Sequence, residues 1–362
     1  MSPITESTPS LRDFQNDLPL HPAARDLLAY FFDSGWVDPS KLHHQSAQLR
    51  NLIGTARDTI AANLGIKNSE LEVVGELGFG FQTALGGLLT NPAVKFFYSE
   101  IDRQVVHAFA RNHINVGGSA TALKPGSTGL VDFRNELDQK KSSVVSWQGT
   151  NREMGAIQDP PKIHETNALF ADMTASFPLN RLPEKWDSAL WDPRSFGGPQ
   201  GIALIGISST SSWRNPGPEI DNRRVFGSFS KPLLLATAVA LENWVKGADE
   251  DFAHLRKLNI FTRDLLRSKV QGVRVVGDDH KNDPRFIALV LPNSVAEEVL
   301  RKVEQAGFLI DAGSACGAGA LSPSHVLTSM GFSANGNVRL TLKPDQNEAV
   351  ITELVERIAA SA

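Results

Sequence analysis

The sequence predicts an α/β protein: a large domain on a mostly parallel, seven-stranded-type sheet, followed by a smaller α+β C-terminal domain. Two observations carry that expectation. Between residues 71 and 206, short apolar runs of strand length alternate with helical or loop segments, as in a parallel sheet covered on both faces. Past Lys231 the rhythm changes to long helices and then a few short strands, which reads as a second compact unit. With 362 residues, 41% of them hydrophobic, the chain can bury a core of that size.

In chain order, residues 21–35 read as a helix with Leu27, Leu28, Phe31 and Phe32 at helical spacing. A longer helix over 44–63 uses Leu49, Leu52, Ile53, Ala56 and Ile60 as its buried stripe. Strands follow at 71–74, 94–98, 143–146, 168–171 and 201–206, with a turn at 78–80, a helix over 81–89 and another through Val105 and Phe109. Helices are predicted at 232–246, 251–269 and 295–305, strands at 273–276, 286–290 and 338–342, and a closing helix. The expected division is a flexible tail over 1–20, a large domain over 21–255 and a small domain over 256–362.

Composition narrows the function classes. A single cysteine excludes an internal disulfide, and the polar N-terminus does not have the charged-then-apolar form of a secretory signal. No apolar run reaches membrane-spanning length, and a net charge of -4 with scattered basic residues leaves no footprint for nucleic acid. A cytoplasmic protein without membrane or nucleic-acid partners is the expectation. The nine histidines never pair at metal-ligand spacing, so no metal site is predicted. Ser209 to Ser212 lack the Gly-x-Ser-x-Gly elbow of a serine nucleophile.

Ligands of parallel sheets gather at the carboxyl edge of the strands, where Gly78, Asn151, Asp172 and Ser209 are expected to lie. Asp172 ends an apolar strand, so its carboxylate needs a partner; a protonated ring nitrogen is one such partner. Gly78-Phe79-Gly80 after a strand, with Glu100 about 20 residues on, has the spacing of a dinucleotide fingerprint. Thr83 stands at the third glycine position, however, and two helices precede the strand. Asn151 to Gln158 form a polar stretch. Asp311 to Ala320 form a small-residue run carrying Cys316, behind which Ser322 and Pro323 are suited to open a helix. The run reads as a mobile loop with a swinging thiol, or as a packed free cysteine.

Gly313-Ser314-Ala315-Cys316, followed by Leu321-Ser322-Pro323-Ser324-His325-Val326-Leu327, resembles the active-site loop of cysteine desulfurases. These belong to the class V aminotransferase family of pyridoxal-phosphate enzymes. Asn151 to Gln158 is similar to that family's Asn-Asn-Glu-x-Gly-x-x-Gln, Asp172 with Thr174 and Ser176 to its Asp-Ala-Thr-Gln-Ser, and Gly198-Pro199-Gln200-Gly201 to its Gly-Pro-Lys-Gly. Val338-Arg339-Leu340 and the early Ser40 and His43 also match, in the family's order, over about residues 20 to 360.

The resemblance implies the pyridoxal-phosphate transferase fold type I, pyridoxal 5'-phosphate as cofactor, and a homodimer with active sites at the subunit interface. It implies an amino-acid substrate whose sulfur passes to Cys316 as a persulfide and on to an acceptor protein. Asp172 would hold the ring nitrogen; Arg339 and Asn151 would bind substrate. Phe79 and Gly80 align with the phosphate turn, and Ser228 and Ser230 with the phosphate turn reaching in from the partner subunit.

At other positions the chain departs from the family. Arg103 stands at the ring-stacking histidine, Arg152 at the asparagine near the phenolic oxygen, Ala175 at the glutamine after the aspartate. Ser195 occupies the Schiff-base lysine position, and a hydroxyl forms no imine with an aldehyde. Lys231, in Ser228-Phe229-Ser230-Lys231, is the candidate substitute amine. Three functions are therefore distinguished: a desulfurase; a family fold kept for sulfur relay, small-anion binding or a partner-subunit role; and a dinucleotide-binding protein.

Overall fold

The structure is a computed structural model that describes residues 10–15, 18–34, 37–133, 142–176, 181–218, 224–225, 229–312, 324–332 and 336–362. Helices α1 (Pro22–Ser34) and α2 (His44–Leu64) lead to strand β1 (Leu71–Val74) and helix α3 (Leu77–Ala84). Next come β2 (Lys95–Ser99), α4 (Gln104–Asn115), β3 (Ser119–Leu123) and β4 (Ser143–Gln148). β5 (Ala168–Asp172), β6 (Ser188–Trp191) and β7 (Ala203–Ile207) complete the first sheet. Helix α5 (Lys231–Lys269) then leads to β8 (Arg274–Val275), β9 (Phe286–Val290), α6 (Ala296–Gln305) and β10 (Asp311–Ala312). Helix α7 (His325–Ser329), β11 (Asn337–Thr341) and α8 (Glu348–Ser361) close the chain.

The first sheet has seven strands in the order β1-β7-β6-β5-β4-β2-β3. β2 to β6 run parallel, while β7 pairs antiparallel with both β6 and β1. Every residue of β4, β5, β6 and β7 is buried, because helices cover both faces and no face is left for polar alternation. One apolar layer joins Val145, Leu169 and Leu204 to α2 and the first half of α5; the other joins Phe96, Phe170 and Ile205 to α3 and α4. The second sheet is antiparallel, in the order β10-β11-β9-β8, and packs with α6, α8 and the second half of α5. Phe252 packs against both main cores.

Several sequence expectations change. Residues 232–246 and 251–269 belong to one 39-residue helix, since Gly247 lies within a run of good helix formers and has no steric demand of its own. β3 and β6 were not anticipated: β3 is a largely exposed edge of small residues, and β6 is four residues long. The turn at 78–80 is helical, lying within α3. Phe32 and Leu52 are exposed at 70% and 53%, so the apolar stripes of α1 and α2 extend beyond the surface that α5 covers.

Residues 10–15 are not a free tail. Phe14 is fully buried beside Phe308, its amide donates to Leu309 O at 2.7 Å, and its carbonyl accepts from Thr341 N at 2.8 Å. Ser209 lies at the opposite sheet edge from Asp172, because it follows the antiparallel strand β7; its amide donates to Glu70, just before β1. Ser324 caps α7, accepting from Leu327 N.

Candidate active site

The parallel arrangement brings the carboxyl ends of β1, β2, β4, β5 and β6 to one edge. Asp172, the last residue of β5, is 1% exposed. Its Oδ1 accepts from Thr174 N at 3.0 Å and from Thr174 Oγ1 at 2.5 Å. Among the described residues its Oδ2 receives no hydrogen bond, and Nε of Arg103 lies 3.8 Å from it. Arg103 precedes α4 and also lies over the Phe81 ring, 6.0 Å from its centroid. A buried carboxylate needs a cation, and Arg103 supplies one.

Asp102 lies beside this pair, with Oδ2 accepting from Ser99 N at 3.1 Å. Burial, reinforced by the nearby Asp172 charge, pushes its carboxyl up to about 7, while the hydrogen bond from Ser99 acts in the opposite sense. A ring nitrogen of His325 hydrogen-bonds Asp102 O at 2.9 Å, and the His325 ring meets that of His107 edge-on at 5.3 Å. Burial, then the proximity of His325, lowers the His107 pKa. Glu153 is also buried; desolvation raises its carboxyl, opposed by hydrogen bonds from Ser324 and from Asn337, the latter at 3.1 Å. These contacts anchor the start of α7 at the edge.

Asn151 is committed to the fold. Its amide nitrogen donates to Ile101 O and Gln148 Oε1, and its oxygen accepts from Glu153 N and Met154 N. Arg152 sits half-buried in the same turn. Arg339 on β11 faces Asp311 across the β10–β11 pair, and the two form an ion pair, 21% and 14% exposed. Arg339, expected to grip a substrate carboxylate, is thus paired with a carboxylate of the chain.

Ser195 lies in a 3-10 turn, Pro193–Phe196, after β6. It is 5% exposed and its Oγ donates to Asp192 O at 2.7 Å. Its carbonyl accepts from Arg285 Nη1 at 3.1 Å, and Arg285 also donates to Ala175 O. Phe79 is half-exposed within α3, while Gly80 faces the sheet: a Cβ there would lie 3.3 Å from Ala203 Cβ and 2.5 Å from a Leu190 methyl. The first amide of α3, from Leu77, donates to the Glu76 carboxylate at 3.0 Å.

Lys231 opens α5 behind Ser230, whose Oγ accepts from Leu233 N. The Lys231 amine donates to Phe229 O at 3.1 Å and sits 4.0 Å over the Phe229 ring. It lines a cavity of about 420 Å³ with Tyr30, Phe31, Gln45 and Pro232, a lining that includes neither Asp172 nor Ser195. The expectations on Cys316, Ser228, Ser322 and Pro323 lie outside the described residues.

Sequence reasoning missed Arg285, Asp102 and Glu76, and assigned no role to Asp311 or Glu153. Arg285 had a usable signal: Asp-Pro-Arg directly before a fully apolar strand places two opposite charges at the mouth of a core.

The seven-stranded, mostly parallel sheet with its second, antiparallel unit matches the fold of NifS-like proteins, fold type I. No protein-family profile matches the chain. A NifS-like protein superposes with a TM-score of 0.84 at 19% identity, covering 96% of this chain and 98% of that one. The NifS-like protein from Rickettsia africae gives 0.78 at 20% identity with the same coverage. By sequence, the cysteine desulfurase IscS of Dictyoglomus turgidum is 24% identical over 96% of this chain and 93% of its own length. The mitosomal cysteine desulfurase of Encephalitozoon cuniculi is 23% identical over 88% and 78%. Over most of its length the chain is similar in sequence to cysteine desulfurases, and in fold to NifS-like proteins.

The cofactor of that family makes three demands: an amine for its aldehyde, a carboxylate for its ring nitrogen and donors for its phosphate. Asp172 meets the second in kind. Ser195, expected at the amine position, carries a hydroxyl turned onto Asp192 O, and the first amide of α3 is taken by Glu76. The residues present do not fit pyridoxal phosphate held as the family holds it.

Proposed function

We propose that this cysteine desulfurase-like chain handles sulfur at the Cys316 thiol without imine chemistry, as a sulfur relay. The observation that carries the reading is Ser195, buried at the lysine position and hydrogen-bonded within its own turn. In a relay the Cys316 thiolate attacks the outer sulfur of a donor persulfide. The S–S bond breaks, the donor thiolate leaves with the electron pair, and Cys316 carries a persulfide to an acceptor thiol.

A homodimer belongs to the same reading. The exposed apolar side chains Tyr30, Phe32, Leu42 and Leu52, on and beside α1 and α2, support it. A single free thiol fits a reducing compartment, and we assign the protein to the cytoplasm.

The test uses L-cysteine and glutathione persulfide as alternative donors. With pyridoxal phosphate and L-cysteine, no alanine is expected. With glutathione persulfide, mass spectrometry is expected to find a persulfide on the wild-type peptide containing Cys316 and none in Cys316→Ala. Alanine formation, or a wild-type Cys316 that stays unmodified, overturns the reading.

A further inference from the structure

We propose that Arg103 takes the place on Asp172 that a cofactor ring nitrogen would need, so that the strand edge is neutralised by the chain itself and excludes pyridoxal phosphate. The inference goes beyond the relay reading, which concerns Cys316 and stands whichever way Asp172 is satisfied.

A pyridinium nitrogen offers a buried aspartate one N–H and one positive charge. A guanidinium offers the same charge permanently, because it does not deprotonate in proteins. Here Arg103 Nε lies 3.8 Å from Asp172 Oδ2, the oxygen with no hydrogen-bond donor among the described residues, while Thr174 saturates Oδ1. The Asp172 side chain is 2% exposed and that of Arg103 24%, so the pair lies largely out of water, where its attraction is weakly screened. The Phe81 ring supports it from the α3 side. A cofactor ring nitrogen reaching Oδ2 would have to displace this cation.

Two independent observations point the same way. Glu76 places a carboxylate on the first amide of α3, which repels a phosphate there. Ser195 Oγ is engaged with Asp192 O, leaving no nucleophile directed at an aldehyde. The three anchor points of the cofactor are thus met by Arg103, Glu76 and the Ser195 turn.

Pyridoxamine 5'-phosphate tests the inference, because it forms no imine and needs no lysine. By calorimetry, the full-length wild type is expected to show no saturable binding, and Arg103→Gln to bind at least about tenfold more tightly. In a Ser195→Lys background, pyridoxal phosphate and borohydride are expected to label position 195 about tenfold more when Arg103→Gln is added. Saturable wild-type binding of pyridoxamine phosphate overturns the inference. So does an Arg103→Gln variant that gains no affinity, or Ser195→Lys alone being labelled as fully as the double variant. The persulfide state of Cys316 is read separately, so the relay and the arginine fail independently.

Discussion

Replacing Arg285 with alanine should destabilise this protein more than any exposed substitution near the site. The side chain is 7% exposed; its Nε donates to Asp283 Oδ1 at 2.9 Å and its Nη2 to Oδ2 at 2.6 Å. It also donates to the carbonyls of Ser195 and Ala175, 90 and 110 residues away in sequence, and lies 5.0 Å over the Phe286 ring. One guanidinium from the second sheet therefore joins the turn after β5 to the turn after β6. Its removal leaves a fully buried Asp283 carboxylate without its hydrogen-bonded cation, with only Arg256 acting on it at longer range, which costs about 3–5 kcal/mol. Each stranded carbonyl would add about 1–3 kcal/mol were the costs additive; entry of water at the vacated site offsets part, so about 4 kcal/mol is expected.

The assay is guanidinium unfolding of Arg285→Ala and wild type, followed by tryptophan fluorescence and circular dichroism to check that the two transitions coincide. Arg285→Met with Asp283→Leu, which removes both charges at similar volume, should recover about half of the loss. A loss below about 1 kcal/mol in Arg285→Ala at unchanged denaturant slope would falsify the claim that this clamp holds the site.

Two further outcomes follow from the same edge. The Asp102 carboxyl titrates at about 7 in the fold against 3.8 unperturbed, so the folded state keeps a proton that the unfolded state has already lost. Stability should therefore be fully present below pH about 4 and fall by up to about 4 kcal/mol as the pH rises to about 7, levelling off above. Asp102→Asn should flatten that slope in thermal unfolding across the same window, and an unchanged slope refutes the assignment. Freeing Arg339 by Asp311→Asn should strengthen L-cysteine binding by about tenfold, roughly one charge-assisted hydrogen bond, as measured by calorimetry. Equal affinities in variant and wild type would show that Asp311 does not compete for the guanidinium.

Much of the architecture was legible because its signals are local. The apolar runs that become β4 and β5 are continuous, since both faces of the sheet are covered, and continuous runs stand out in a sequence. β6, with only Ser188–Trp191, is too short for any period to show, and β3 sits at an exposed edge with small side chains. The continuous α5 passes through Gly247 because the two cores on either side of Phe252 hold the helix there. Phe14 is one aromatic in a polar stretch, and only the fold supplies its partner, Phe308.

For the site, the sequence alone determined the residue types: an aspartate ending a buried strand, a serine at 195, and arginines at 103, 152 and 339. Those are covalent facts, and that a hydroxyl at 195 forms no imine follows from chemistry without coordinates. Which charge meets which was decided only in three dimensions. Arg103 reaches Asp172 because parallel β2 and β5, with β4 between them, end at the same edge. Arg339 meets Asp311 because antiparallel β10 and β11 set them directly opposite. Arg285 binds Ser195 and Ala175 because the second sheet packs against that edge. Coulomb and hydrogen-bond energies depend on separation in space rather than along the chain, so these pairs had no signature in the order of the residues.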